Sequence, residues 1–499
     1  MFILCFNMKA AHKLLTLILI IGALLRLYYM LVPGQPATRL SPDEAVYGLE
    51  AIHILSGERP VFFYAQPYTG ATSAYISALL FKIFGISDIA LKIVPFIFSL
   101  LIIFLEFKLA EVIFKNSKMA LTATTLTALG SPFWLNWSSR AGTGYIEMMV
   151  LGALVFLLAI KVVFENCGSP KIYFLLGLVA GFGFWVQPTI AYYLLPAGIF
   201  IFLHDRKIFF KREFYLAILG AIIGAAPVIF YNLTNQSATA TSLFNKPWGI
   251  KPALYKFFVE GMPVILGVRP PWSTTNFFTP LAVVVVLVYL AAFVFLLRRR
   301  FEDLLRFKFQ PIDLVLAFFP SLLFIFSLSS PFNQFVIEPR YIQAIYTGLP
   351  IVVTYFAFKL EKKYRLAGVF VLTTLVVSAL FGIYKTKPSS FVDGYTFDGP
   401  IVYLKEHGVT HVFSDAALAH RLTFFAKEEI IAAPMEGGMT SARIPYYEQA
   451  VKDTPCAKRG VVVLKEALVR QPLVNEVINC KIPYEEKVFG NAILVVVPR

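Results

Sequence analysis

Two acids stand side by side in Ser41-Pro42-Asp43-Glu44, shortly after an apolar run that ends near Val32. Only 15% of the chain is charged, so carboxylates at such a border are a marked choice. A carboxylate there can take a proton from an incoming hydroxyl or amine. The start of a helix helps to keep it ionised. Tyr47 and Glu50 follow Asp43 at helical spacing and share its face. The plain structural alternative is a capping box, with Ser41 as N-cap, Pro42 at the first helical position and Glu44 reaching back.

Two further segments carry candidate chemistry. In Ser139-Arg140-Ala141-Gly142-Thr143-Gly144-Tyr145-Ile146-Glu147, Glu147 lies at or just inside the start of a later apolar run. An ionisable group there usually faces a protein interior or a cavity. The alternative is a Glu147–Arg140 pair that closes a helix end. In Glu338-Pro339-Arg340-Tyr341, the Arg340 guanidinium suits phosphate oxygens; the alternative is an arginine snorkelling to the interface. A loop over 232–279 carries Lys246, Trp248, Arg269 and Trp272, and its tryptophans read as interfacial anchors. There is no His-x-x-x-His, no Cys-x-x-Cys, and no Asp-x-Asp in an outer loop, so no metal signature appears. No phosphate-binding Walker loop is present either, which argues against ATP-driven work.

These residues need elements to hold them, and composition says what those are. The chain has 499 residues, 58% of them hydrophobic, and a mean hydropathy of +0.70. A bilayer can cover that much apolar surface and water cannot. Since a span takes roughly 20 apolar residues, the sequence holds about eleven candidates. They cover 14–32, 89–109, 119–135, 145–164, 172–186, 190–203, 214–230, 280–297, 312–328, 341–358 and 366–384. The first is too long for a cleaved leader and reads as a retained helix. The net charge of +15 does not point to nucleic acid, because the basic residues gather in alternate loops. Arg206, Lys207, Lys211 and Arg212 form one cluster, Arg298, Arg299, Arg300 and Arg306 a second, and Lys359, Lys362, Lys363 and Arg365 a third. Basic loops stay in the cytoplasm. The N-terminus is then cytoplasmic, and an odd number of spans puts the C-terminal tail outside.

Three regions follow: a membrane part over 1–384 with a first outer loop at 33–88, a polar linker at 385–399, and a soluble tail over 400–499. In the first loop, 42–55 and 71–84 have helical patterns and are expected to lie along the membrane surface. The tail mixes a helical stretch ending at Gly408 with apolar strand signals at 411–414, 430–433, 461–464 and 492–497, a small α/β or α+β layer. Of the four cysteines, Cys5 and Cys167 face the cytoplasm on this topology. Cys456 and Cys480 fall in the tail, where a disulfide can persist; two free thiols are the alternative.

The chain resembles the GT-C superfamily of polytopic glycosyltransferases, in the branch of the protein O-mannosyltransferases and the lipid A aminoarabinose transferase. The resemblance rests on Asp43-Glu44 after the first span, Tyr47, Ala51 and Gly57. It continues through Tyr64-Ala65-Gln66-Pro67-Tyr68-Thr69-Gly70, Phe84-Gly85, Glu147, and Arg340-Tyr341 followed by Pro350. It implies a GT-C-like membrane domain with a small extracytoplasmic α/β domain, in the plasma membrane. It also implies an enzyme without a cofactor that moves a sugar from a polyprenyl-phosphate donor to a lipid, glycan or protein acceptor. Asp43 carries over as the base, with Glu44 beside it as acceptor ligand or alternative base. Tyr47, Gln66, Tyr68, Arg140, Glu147, Arg269, Arg340 and Tyr341 fall to substrate binding. The chain departs from the family with Glu at 147 in place of Asp, and with Gln187-Pro188 where a lysine is common, which leaves the particular substrate open. Without a metal motif, the charge for the departing phosphate must come from Arg or Lys, with Arg340 the first choice and Arg269 the second. One base opposite the leaving group implies inversion at the sugar carbon. A transporter or flippase of lipid-linked substrates is the alternative, which internal repeats and a mid-membrane site would favour. A silent membrane scaffold whose tail binds a partner is the other.

Overall fold

Apolar runs that meet lipid must satisfy their backbone internally, and helices do so within one segment. The computed structural model describes residues 8–35, 37–142, 144–165, 168–244, 250–271, 273–328, 339–386, 396–434, 443–466, 470–490 and 492–498. Among them, seven helices are long and apolar enough to cross a membrane: Lys9–Leu31, Asp88–Phe114, Tyr145–Val163, Thr279–Leu305, Pro311–Leu328, Arg340–Lys363 and Arg365–Lys385. The pair Arg212–Gly224 and Ala226–Thr234, bent by 63°, makes an eighth if it counts as one span. The bend falls where Pro227 cannot continue the hydrogen-bond ladder.

The remaining candidate spans have shorter forms. Those at 172–186 and 190–203 become the apolar helices Pro170–Val186 and Pro188–His204, separated at Pro188. The candidate at 119–135 is divided. Gly130, at φ 55°, ends Ser117–Leu129, and Ser131-Pro132 starts a new helix by capping the Trp134 amide.

The chain divides into two compact units. The first comprises Met1–Tyr29, Pro95–Ser139 and Gly144–Lys387. Within it, Pro170–Val186 and Arg212–Gly224 approach through paired small residues, Gly177 and Gly181 against Gly220 and Gly224. A Cβ at Gly177 would stand 1.8 Å from the Ala217 carbonyl oxygen, so only glycine permits this spacing. Buried Arg26 donates at 3.0 Å to the carbonyls of Gly22 and Ala128.

The second unit comprises Met30–Val94, Arg140–Thr143 and Pro388–Arg499. Its tail is an α/β layer on a five-stranded sheet, with β1 (His411–Ser414), β2 (Ile431–Pro434), β3 (Arg459–Leu464), β4 (Tyr484–Phe489) and β5 (Ile493–Pro498). The order is β2-β1-β3-β5-β4. β1 runs parallel to β2 and β3, and β5 antiparallel to β3 and β4. The apolar runs of the sequence match four strands. β4 is not among them, because this exposed edge strand reads Tyr-Glu-Glu-Lys-Val-Phe and shows no apolar run. Cys456 and Cys480 are joined by a disulfide. Most of the linker at 385–399, together with Cys5, Cys167, Lys246, Trp248, Trp272 and Glu338, lies outside the described residues.

The segment 42–55, expected along a membrane surface, is covered by protein. Every residue from Glu44 to His53 in the helix Pro42–Leu55 is buried. Val46, Leu49 and Phe63 share one hydrophobic core with Phe424, Ile444 and Tyr447 of the tail. A Cβ at Gly48 would lie 2.3 Å from the Phe424 ring, so the two elements meet at glycine distance. The helix is a core element of the second unit because the tail, unseen in local sequence, covers it.

Candidate active site

The site grows from the first turn of Pro42–Leu55. Ser41 accepts the Glu44 amide at 3.2 Å, and Glu44 Oε2 accepts the Ser41 amide at 2.7 Å, so the capping box is complete. Glu44 is engaged beyond the cap. Its Oε1 accepts the Ala141 amide at 2.8 Å, Arg140 Nη1 stands 3.9 Å from Oε2, and the residue is only 1% exposed. Glu44 therefore fastens the 140–143 segment to the helix start, and both its oxygens are taken.

Asp43 differs from its neighbour. Its side chain is 26% exposed, and its Oδ1 lies 3.3 Å from Nη2 of Arg443, a residue 400 positions away in the tail. The Arg443 guanidinium is itself fixed. Nη1 donates to the Tyr64 carbonyl at 3.3 Å. The Gln66 amide oxygen, in the orientation that satisfies both groups, accepts from Nη1 and Nη2 at 2.9 and 2.8 Å. The guanidinium lies 5.0 Å over the Phe63 ring, which stacks on Tyr47 at 4.1 Å. Gln66 is held by a tight turn: Ala65 sits at φ 59°, and the Gln66 amide donates to the Phe63 carbonyl at 2.9 Å. Tyr68 follows in the same turn, its amide 2.7 Å from the Gln66 carbonyl. Tyr47 is fully buried, and its ring closes on Gly142 at a distance no Cβ would allow.

The far end of the helix carries a different cluster. His53, 6% exposed, has Nδ1 at 2.8 Å from Tyr64 Oη and 3.0 Å from Tyr446 Oη. Its Nε2 is 2.8 Å from Glu428 Oε1 and 3.1 Å from Tyr447 Oη. Tyr447 also donates to Glu428 at 2.6 Å, and Tyr64 to Glu58 at 2.6 Å. Burial would raise the Glu428 carboxyl, but its bonds from His53 and Tyr447 outweigh that and hold it below its ordinary range. Burial pushes the Tyr64, Tyr446 and Tyr447 hydroxyls up, and neighbouring acids add to this. One turn from His53, Glu50 is fully buried and neither of its oxygens has a hydrogen-bond partner. Burial first, and then the charge of Glu58, hold it well above its ordinary value.

Asp43, Glu44, Tyr47, Gln66, Tyr68 and Arg140 thus belong to the second unit, and Glu147, Arg269, Arg340 and Tyr341 to the first. Glu147 is buried in the opening turn of Tyr145–Val163. The Arg340 guanidinium lies 5.7 Å over Trp137 and 5.2 Å over Tyr341. Tyr341 meets Tyr145 edge-on at 5.7 Å. Arg269 spends its guanidinium on Asn276 and the Val259 carbonyl, both at 3.1 Å, which braces its own loop. Sequence reading overlooks Arg443, His53, Glu428, Tyr446 and Tyr447, since no local spacing ties the tail to the first loop.

The family model for dolichyl-phosphate-mannose-protein mannosyltransferase matches residues 69–231. A search of curated proteins finds no significant match. Among solved structures, the chain is similar to ArnT from Cupriavidus metallidurans bound to undecaprenyl phosphate, with 11% identity, 98% of both chains covered and a TM-score of 0.64. The apo state of that protein gives 12% identity, the same coverage and a TM-score of 0.65. The oligosaccharyltransferase of Archaeoglobus fulgidus, in complex with Zn and sulfate, gives 13% identity and a TM-score of 0.50, over 90% of this chain and 68% of that one.

Proposed function

We infer that this chain, a multi-pass membrane glycosyltransferase of the GT-C superfamily by its family match and its fold, moves a sugar from a polyprenyl-phosphate donor to a lipid, glycan or protein acceptor. Asp43 is the base. The observation that carries this reading is the contrast at the helix start. Glu44 is buried with both oxygens engaged, whereas Asp43 is accessible and turned toward a guanidinium. An accessible carboxyl group at a helix N-terminus suits proton acceptance. The similar fold of a protein that holds undecaprenyl phosphate supports a lipid-phosphate donor here. The membrane is proposed to be the plasma membrane, with the N-terminus cytoplasmic and the second unit outside.

In this reaction an acceptor O–H or N–H gives its proton to the Asp43 carboxylate as the acceptor atom attacks the anomeric carbon. The bond from that carbon to the phosphate oxygen breaks, and the polyprenyl phosphate leaves with the electron pair. Attack opposite the leaving group inverts the centre. Arg340, with its planar fork and its aromatic neighbours Trp137 and Tyr341 in the first unit, is proposed to bind a phosphate of the donor. Tyr68 and Arg140, which belong to the same unit as Asp43, are proposed to bound its acceptor site.

The test is transfer by the purified protein in vesicles that contain polyprenyl-phosphate sugars. Asp43→Asn should insert and melt as the parent does, and lose about 10²–10⁴-fold in turnover. Near-parental turnover of that variant removes the proposed base.

A further inference from the structure

We propose that Arg443, delivered by the C-terminal α/β layer, is a positioning residue that fixes the Asp43 carboxylate for proton acceptance. This rests on the reading of Asp43 as the base. Arg443 reaches four partners at once: Asp43, the Tyr64 carbonyl, the Gln66 amide oxygen and the Phe63 ring face. A guanidinium fits such a set because its donors lie in one rigid plane whose faces stack on aromatics. Three of the four partners come from the 63–66 turn, so the turn sets where the guanidinium sits, and the guanidinium then sets where Asp43 points. The side chain is 12% exposed, which limits its freedom to swing away.

The tail is also tied down just beyond Arg443. Tyr446 and Tyr447 bond His53 at the other end of the same helix. The segment is therefore anchored along Pro42–Leu55, and Arg443 arrives at Asp43 in a held position. Contact with the leaving group is a poorer account of this residue. In an inverting displacement the base and the departing phosphate lie on opposite faces of the reacting carbon. A guanidinium 3.3 Å from Asp43 Oδ1 is on the base's side. The tail is thereby part of the active site and more than an appended binding module.

The experiment uses the full chain in vesicles with a polyprenyl-phosphate sugar, measuring kcat and the KM for donor. Arg443→Ala should lower kcat by about 10–100-fold, the scale of a misplaced reacting group, with the donor KM unchanged. Arg443→Lys should recover little, since an ammonium cannot span the same acceptors. Guanidinium ion added at millimolar levels should restore part of the Arg443→Ala rate, an effect that a purely structural role would not show. Asp43→Asn combined with Arg443→Ala should be no slower than Asp43→Asn alone, because the arginine acts through the acid. Arg443→Gln serves where the alanine variant does not fold. A parental kcat in the Arg443 variants overturns the proposal. So does a raised donor KM with kcat retained, which would mark a phosphate contact. If Asp43→Asn keeps parental turnover, the base assignment fails; if Asp43→Asn is inactive and Arg443→Ala is normal, only the positioning role fails.

Discussion

The two ends of the helix Pro42–Leu55 are built from similar residue types and do opposite things. At its start, Asp43 is partly open and bonded to the Arg443 guanidinium. At its last turn, His53 is buried and enclosed by three tyrosines and Glu428. Both ends join the first loop to the tail. A closed polar network with every member bonded adds rigidity and specifies a unique packing. An accessible acid with a fixed neighbour keeps the capacity to react. The difference teaches that the same interface within the second unit is closed at one end and leaves an accessible carboxylate at the other, where the proposed base stands.

That contrast can be broken from either side. The largest expected effect is on rate: Asp43→Asn should abolish most transfer while the unfolding temperature stays near the parental value, since the amide fills the same space and Arg443 keeps its Tyr64 and Gln66 partners. His53→Leu should do the reverse in kind. It takes one hydrogen bond each from Glu428 and Tyr64, which keep Tyr447 and Glu58 as partners, and the loss of such a bond costs about 0.5–1.5 kcal/mol. Thermal unfolding of the second unit should report that loss, and an unchanged melting curve would show that the cluster is not an anchor.

A smaller effect concerns pH. The folded protein holds Glu428 below its ordinary value of about 4.5. Its contribution to stability is complete above that value and disappears as pH falls through the lower folded value. The melting difference between the parent and Glu428→Gln should thus be widest near neutrality and shrink below about pH 4.5. A difference that grows in acid would contradict the assignment. The smallest effect is at the cap. Ser41→Ala removes the acceptor for the Glu44 amide and should cost about 1 kcal/mol, detected by denaturant unfolding. Its rate effect should be slight if Asp43 is oriented by Arg443 more than by the cap.

Much of the architecture could be read from local pattern. The capping box in Ser41-x-x-Glu44 is a short-range signal, and it formed as the spacing indicates. The helix end at Gly408 follows from a residue that reaches positive φ easily, whereas the end at Gly130 was hidden inside the apolar run 119–135. The strands β2, β3 and β5 announced themselves by apolar runs, and β1 as a short strand signal. The exposed edge strand β4 did not, for want of such a run. The helical spacing of 42–55 did not tell that the tail covers it, because periodicity does not say what packs on a helix.

The sequence by itself determined that the chain lives in a membrane, where its long helices run, and that Asp43 and Glu44 open a helix next to the first of them. Those features rest on hydropathy, periodicity and capping, all of which act within a few residues. Only the tertiary structure decided which of the two acids stays accessible and which partner it faces. Arg443 reaches Asp43 across 400 positions of chain, and a bond of that separation leaves no trace in spacing. It exists because burying the Pro42–Leu55 helix against the tail brings the two segments within reach of each other.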